Sequence, residues 1–263
     1  MRRSEQRRAE IVRLAASGLT SVDALAERFG VTASTIRRDL AGLHSSGKIA
    51  RTYGGAIPMP LGGESSLNQR SSVAAEAKRA IGRWAAAQIS EGDSVLLDAG
   101  TTVAHVARNL PPLESVSITT ASIPVIGYVQ SRDDVELTSL GGRLRALSDA
   151  FVGPLTEAAL ERMTFDIAFL GADGVTSDGE VCEAEPEQTR LKELMARRSR
   201  KIYLLVHAEK LNRHPFRWSA RMEGDWTVVT DPGADRNAVA EFRAAGLEVV
   251  VVPAAGALTD RPA

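Results

Sequence analysis

Residues 93–110 read DSVLLDAGTTVAHVARNL. Val95, Leu96 and Leu97 form a short uninterrupted apolar run, as in a strand covered on both faces. Asp98 ends that run, Gly100 permits a close turn, and Thr101–Thr102 open a helix. A strand that turns at once into a helix is the repeating unit of a parallel sheet. The same alternation continues in both directions from about residue 73. Helices are expected in VAAEAKRAIGRWAAAQI (73–89), SIPVIGYVQS (122–131), PLTEAALERM (154–163), EPEQTRLKELMARRSR (185–200) and DRNAVAEFRAAG (235–246). Strands are expected in VSITTA (116–121), VELTSLGG (135–142), FDIAFLGAD (165–173), KIYLLVHAE (201–209), WTVVTD (226–231) and LEVVVV (247–252). The fold class is therefore α/β, a mainly parallel sheet with helices on both faces.

Upstream the pattern differs. SEQRRAEIVRLAAS and SVDALAERFG read as two helices, the second capped by Thr20 or Ser21 and stopped by Gly30. Thr32 caps a third helix that runs to about Ser46, so the last two helices meet in a tight glycine turn, a helix-turn-helix. KIARTYGGAI then offers a strand, a Gly-Gly turn and a return, a wing. PMPLGGESSLNQRSS (58–72) lacks periodicity and reads as a linker. The expected domains are a winged helix-turn-helix at 1–57, a linker at 58–74, the α/β body at 75–250 and a tail at 251–263.

Bulk numbers bound the function. Of the 263 residues, 44% are apolar and 25% charged, as in soluble globular proteins, and no run of about 18 uncharged apolar residues predicts a membrane span. The basic N-terminus has no apolar signal stretch behind it. One cysteine, Cys182, excludes an internal disulfide and suits a cytoplasmic setting. The four histidines form no metal-ligand spacing with it, so no metal and no cofactor are expected. The net charge of −1 hides an asymmetry: residues 1–57 carry ten Lys/Arg against five Asp/Glu, and the remainder 22 against 28. A basic head on an acidic body fits a head that meets a polyanion.

On the third helix, Ile36, Leu40 and Leu43 share one face at steps of four and three. Ser34 and Arg38 lie opposite, and Arg37 leaves at the side. Arginine reads guanine bidentately in the major groove or clamps phosphate, and Thr32, Ser34 and Thr35 in the first turn suit phosphate oxygens. Arg38 is the expected base reader and Arg37 the expected clamp. ALAERFGVTASTIRRDLAGLHSSGKIARTYGGA resembles the N-terminal winged helix-turn-helix of the DeoR family of bacterial transcriptional regulators. That resemblance implies contact with double-stranded operator DNA by Thr32, Ser34, Thr35, Arg37, Arg38 and the wing residues Arg51, Tyr53 and Gly54.

In the body, three loops that follow strands carry candidate chemistry, where parallel sheets place ligands. Backbone amides at the start of a helix, with the Thr101 and Thr102 hydroxyls and the freedom of Gly100, make a phosphate seat. Asp98 accepts from a sugar hydroxyl or from backbone. In SLGGRLR, Gly141 and Gly142 allow close approach, and Arg143 or Arg145 can neutralise an anion. FLGADGV places Asp173 after an apolar strand, and Lys192 and Lys210 lie downstream within reach of a phosphate or carbonyl. These pieces, with RLKELM and LVHAEK, resemble the DeoR C-terminal sensor domain over roughly 75–232. The resemblance implies a fold like ribose-5-phosphate isomerase and a phosphorylated sugar effector. Ala121 and His207 stand where the family often has asparagine and aspartate.

The expected function is a DNA-binding regulator, a repressor of a carbohydrate-catabolism operon, assembled as a homodimer or homotetramer so that paired half-sites are read. One rival is an active sugar-phosphate isomerase with a regulatory head. Aldose–ketose isomerisation needs a carboxylate base, yet Gly174 stands in place of the second acid of the isomerases' GADE. Another rival is an adaptor whose head binds RNA or protein.

Overall fold

A computed structural model of the chain describes residues 7, 8, 10, 11, 14, 21–45, 49–52, 55–58 and 64–253. The chain divides into two compact units, 1–70 and 71–263.

In the first unit Arg7, Arg8, Glu10, Ile11 and Leu14 are helical. Helix α1 (Val22–Phe29) ends at Gly30, whose φ of 60° lies in the left-handed region that a glycine adopts without strain. The Gly30 and Val31 amides bond back to Glu27 and Ala26, closing the helix and turning the chain sharply. Thr32 then caps α2 (Ala33–Ser45), its hydroxyl accepting from the Thr35 amide at 3.3 Å. Ile36, Leu40 and Leu43 of α2 bury against Leu25 and Ile11 in one core. Strands β1 (Ile49–Thr52) and β2 (Gly55–Pro58) pair antiparallel with Ile49 opposite Pro58, giving the hairpin expected of a wing. The stretch expected as an aperiodic linker instead contains α3 (Leu67–Ser72). Its start is a reciprocal cap: the Ser66 amide donates to the Gln69 side chain at 2.9 Å, and Ser66 Oγ accepts from the Gln69 amide at 3.4 Å.

The body begins with α4 (Ala75–Ala86), β3 (Ser94–Leu97), α5 (Thr101–Arg108), β4 (Val116–Thr120), α6 (Ile123–Val129) and β5 (Val135–Ser139). Strands β6 (Arg143–Arg145) and β7 (Ala150–Val152) form a small hairpin, followed by α7 (Pro154–Leu160) and β8 (Phe165–Leu170). Next come β9 (Gly174–Val175), β10 (Glu180–Glu183), α8 (Pro186–Arg197), β11 (Ser199–Leu205) and β12 (Trp218–Arg221). Strand β13 (Trp226–Thr230), α9 (Arg236–Ala244) and β14 (Glu248–Val251) complete it.

Seven strands build the main sheet in the order β14-β13-β11-β8-β3-β4-β5, every neighbouring pair parallel. From β3 the chain winds outward through β4 to β5, and from β8 it winds the other way. The order reverses between β3 and β8, and parallel sheets open a crevice outside the carboxyl ends of strands at such a reversal. Side chains alternate across the sheet. Leu97, Phe169, Leu205 and Val229 pack under α4, α5 and α6, while Leu96, Leu170, Leu204 and Val228 pack under α7, α8 and α9. Two small pieces were not expected from the sequence. The loop SLGGRLR runs into the β6–β7 hairpin, and β12-β10-β9 form an antiparallel sheet of their own. Both are too short to show a period.

Candidate DNA-reading face and effector crevice

On α2 the division into a packed and an outer face is clear. Ile36 and Leu40 are buried, whereas Thr32, Ser34, Arg37 and Arg38 are exposed. Thr32 Oγ1 lies 2.9 Å from Ser34 Oγ and 3.0 Å from Thr35 Oγ1, so the three hydroxyls form one cluster at the start of the helix. Sequence reasoning missed Asp39. It is buried, and its two oxygens accept from Arg7 Nε at 2.6 Å and Arg8 Nε at 2.9 Å. Its position three residues after Ile36, on the packed side, was the available signal. This carboxylate ties α2 to the helical residues upstream and so fixes the direction in which Arg37 and Arg38 project. Arg51 lies on β1, and Tyr53 and Gly54 lie outside the described residues.

In the body, the ends of β3 and β8 meet as the topology requires. Asp98 is buried at the end of β3. Its carboxylate accepts from the amides of Ala99 at 2.7 Å and Gly171 at 3.1 Å, so of the two partners expected for it, backbone is present. The same carboxylate pairs with Lys192 Nζ, which comes from α8, 94 positions along the chain. Lys192 also lies 3.0 Å from Glu183 Oε1 and donates to the Gly171 carbonyl. One ammonium thus joins the ends of β3, β8 and β10, and all three charged groups are buried. Burial pushes the Glu183 carboxyl up to about 7; Lys192 opposes this, and Asp173 and Asp98 add to it. Burial would lower the proton affinity of Lys192, but Asp98 and Glu183 outweigh it and hold the amine charged. Sequence reasoning could not place Glu183, because the strand that delivers it, β10, belongs to the small antiparallel sheet and is too short to show a period.

The expected phosphate seat sits beside this triad. Helix α5 starts at Gly100, whose φ of 131° favours glycine, and no side chain caps its first amides. Thr101 is half-buried and Thr102 buried. Lys210 donates to the Ala172 carbonyl and lies 3.9 Å from Asp173 Oδ1, while the Asp173 amide donates to the Cys182 carbonyl at 3.0 Å. The second loop is occupied differently. A Cβ at Gly142 would collide with Thr156 of α7, whose hydroxyl donates to the Gly141 carbonyl at 2.7 Å. Arg143 pairs with Glu187, and buried Arg145 lies 3.0 Å from Glu185. The close approach made by these glycines is to α7.

Two family comparisons match this architecture. Residues 7–59 match the DeoR-like helix-turn-helix domain, and residues 73–232 match the DeoR C terminal sensor domain. The HTH-type transcriptional regulator GlpR of Haloferax volcanii is 35% identical over 93% of this chain and 96% of its own length. The putative aga operon transcriptional repressor of Escherichia coli O157:H7 is 31% identical, covering 95% of this chain and 94% of its own. The glycerol-3-phosphate regulon repressor of Escherichia coli K12 is 30% identical over 75% of this chain and 78% of its own. Among solved structures, ribose 5-phosphate isomerase A from Neisseria gonorrhoeae aligns with 51% of this chain and 52% of its own, at 15% identity and a TM-score of 0.37. With a helix-turn-helix at its head and the sensor domain as its body, the chain belongs to the DeoR family of transcriptional regulators.

Proposed function

We propose that this protein is a repressor that holds an operator through α2 and the wing and releases it when a phosphorylated sugar or polyol enters the body. The observation that carries the reading is the uncapped start of α5 at the reversal of strand order, with Lys210 in the short turn that follows β11 paired to Asp173. A relative named as a glycerol-3-phosphate regulon repressor supports a phosphorylated polyol or sugar as the effector class. Gly100, Thr101 and Thr102 seat the phosphoryl group, and Lys210 and Asp173 line the crevice. Asp98 and Lys192 shape its floor through their mutual pair. Gly141, Gly142 and Arg143 form its outer wall. On the head, Arg38 reads a base and Arg37 clamps phosphate, with Thr32, Ser34, Thr35, Arg51, Tyr53 and Gly54 on the backbone. A pair of such heads reads a two-fold operator, so the working species is a cytoplasmic homodimer or homotetramer.

Catalysis is the weaker reading. A proton-transfer base must reach substrate, and Asp98 and Glu183 are held by Lys192, Gly171 and Gln188. Among the described residues no helix is long and apolar enough to cross a membrane.

The test is fluorescence anisotropy on DNA flanking the protein's own gene, with glycerol 3-phosphate and ribose 5-phosphate against glycerol and ribose. Release by a phosphorylated compound alone is expected, and Thr101→Val should lose that response. Arg38→Ala should weaken operator binding by about 1–3 kcal/mol. Arg37→Ala should lower affinity for all duplexes alike and reduce the salt slope by about one. Turnover of ribose 5-phosphate would overturn the sensor reading.

A further inference from the structure

The main sheet has two edges, and they are finished differently. At one edge stands β14. The Val252 amide bonds to the Thr230 carbonyl at 2.8 Å, so alternate residues of β14 turn toward β13 and the Val249 carbonyl turns outward. Arg243 of α9 donates to that carbonyl at 2.9 Å and occupies part of the edge. At the other edge stands β5, which pairs with β4 alone. The Leu140 amide bonds to the Thr120 carbonyl at 2.8 Å, so Glu136 and Thr138 turn their amides and carbonyls to β4. Val135, Leu137 and Ser139 turn theirs away from the sheet. Among the described residues no side chain or backbone group bonds to this outer edge. An edge left in this way is a template for another strand.

The helix beside the edge is as bare as the strand. Helix α6 joins β4 to β5 and packs Val125 and Val129 on the sheet face that holds Val135 and Leu137. From 121 to 131 the sequence ASIPVIGYVQS has no charged residue, whereas α4, α5, α7, α8 and α9 each carry at least one. A helix without a charged face is normally buried. Here Ile123 and Tyr128 are 40% and 45% exposed, and Gly127 has open space where a Cβ would stand. Open edge and uncharged helix lie at the same end of the sheet, so one partner can cover both.

A second copy of the chain fits this end. Two β5 strands laid antiparallel about Leu137 put Leu137 opposite itself and Val135 opposite Ser139. Those are the residues whose backbone groups face outward, so each outward amide meets a carbonyl. The same arrangement lays the start of one strand beside the end of the other. The start carries exposed Asp133 and Glu136, and exposed Arg143 follows the end. Opposite charges therefore come together at both ends of the joint. An unrelated extended peptide would satisfy the edge and leave α6 bare.

We propose that β5 and α6 form the contact between two copies of this chain, related by a two-fold axis at Leu137, so that two seven-stranded sheets become one. This rests on the reading of the head as one of a pair on a two-fold operator. It names the surface of the body that holds the pair together.

Sedimentation velocity on the full chain at micromolar concentration tests the contact. Tyr128→Glu puts a charge on the exposed side of α6, and Leu137→Pro removes an outward amide that the β4 ladder does not use. Each should raise the dissociation constant at least tenfold and halve the sedimenting mass. Val251→Glu, at an exposed residue of the β14 edge, should sediment as the wild type does. In the wild type, hydrogen exchange at the amides of Val135, Leu137 and Ser139 should slow as concentration rises. Circular dichroism identifies variants that fold, and Tyr128→Glu decides the matter if Leu137→Pro does not. Folded variants that keep the wild-type mass would overturn the contact and leave the paired-head reading standing. A wild-type chain that stays monomeric would overturn both and leave β5 to an extended peptide.

Discussion

Head and body each contain a three-charge cluster centred on one buried group, and the two are mirror images in charge. In the head one carboxylate, Asp39, lies between two guanidinium groups, Arg7 and Arg8. In the body one ammonium, Lys192, lies between two carboxylates, Asp98 and Glu183. The difference is in solvent. The arginine side chains of the head are 19% and 41% exposed, so their outer edges stay hydrated. All three side chains of the body cluster are 10% exposed or less, and there burial raises the proton affinity of Glu183. A half-hydrated cluster acts as a clasp that holds a helix at a set angle. A dry one makes each member depend on the charge state of the others.

This contrast can be broken most directly at Lys192. Lys192→Met leaves two buried carboxylates facing each other and should cost about 3–5 kcal/mol in denaturant unfolding. Adding Glu183→Gln should recover part of that loss, because the two positions share one pair. A cost below about 1 kcal/mol would show that water already reaches the cluster.

The second effect is on pH. His207 has a folded pKa near 4, below the usual 6.5. Between those values the unfolded chain binds a proton that the folded chain refuses. Stability is therefore intact above pH 6.5 and is lost as pH falls through 4. The ring faces Lys78, Lys210 and Arg213, with Asp231 and Glu209 opposing them. With a discount for screening of the surrounding charges, the loss should be about 2 kcal/mol between pH 7 and pH 4. His207→Asn should remove that part of the slope. An unchanged slope would place the acid sensitivity elsewhere.

The smallest effect is expected in the head. Asp39→Asn keeps the size of the side chain and one acceptor oxygen, and its arginine partners stay partly hydrated, so it should cost about 1 kcal/mol. Hydrogen exchange along α2 would measure this locally. A loss as large as that at Lys192 would mean that the head cluster is as dry as the one in the body.

Much of this protein was legible in its sequence. Apolar runs such as Val95–Leu97 and the three-and-four spacing of Ile36, Leu40 and Leu43 depend only on near neighbours, and they correctly implied a parallel sheet and an amphipathic α2. The outward course of Arg37 and Arg38 followed from the same geometry. The cap at Ser66–Gln69 was also in view, inside a segment whose Pro, Gly and Ser content suggested a linker. Partner choice was not local. The pairing of Asp98 with Lys192 and the delivery of Glu183 by β10 depend on strands that become neighbours only after crossovers of tens of residues. By itself the sequence determined which residues lie on which face of each element. The tertiary structure alone decided which charges meet, because burial and crossover order set the distances and the hydration that govern charge.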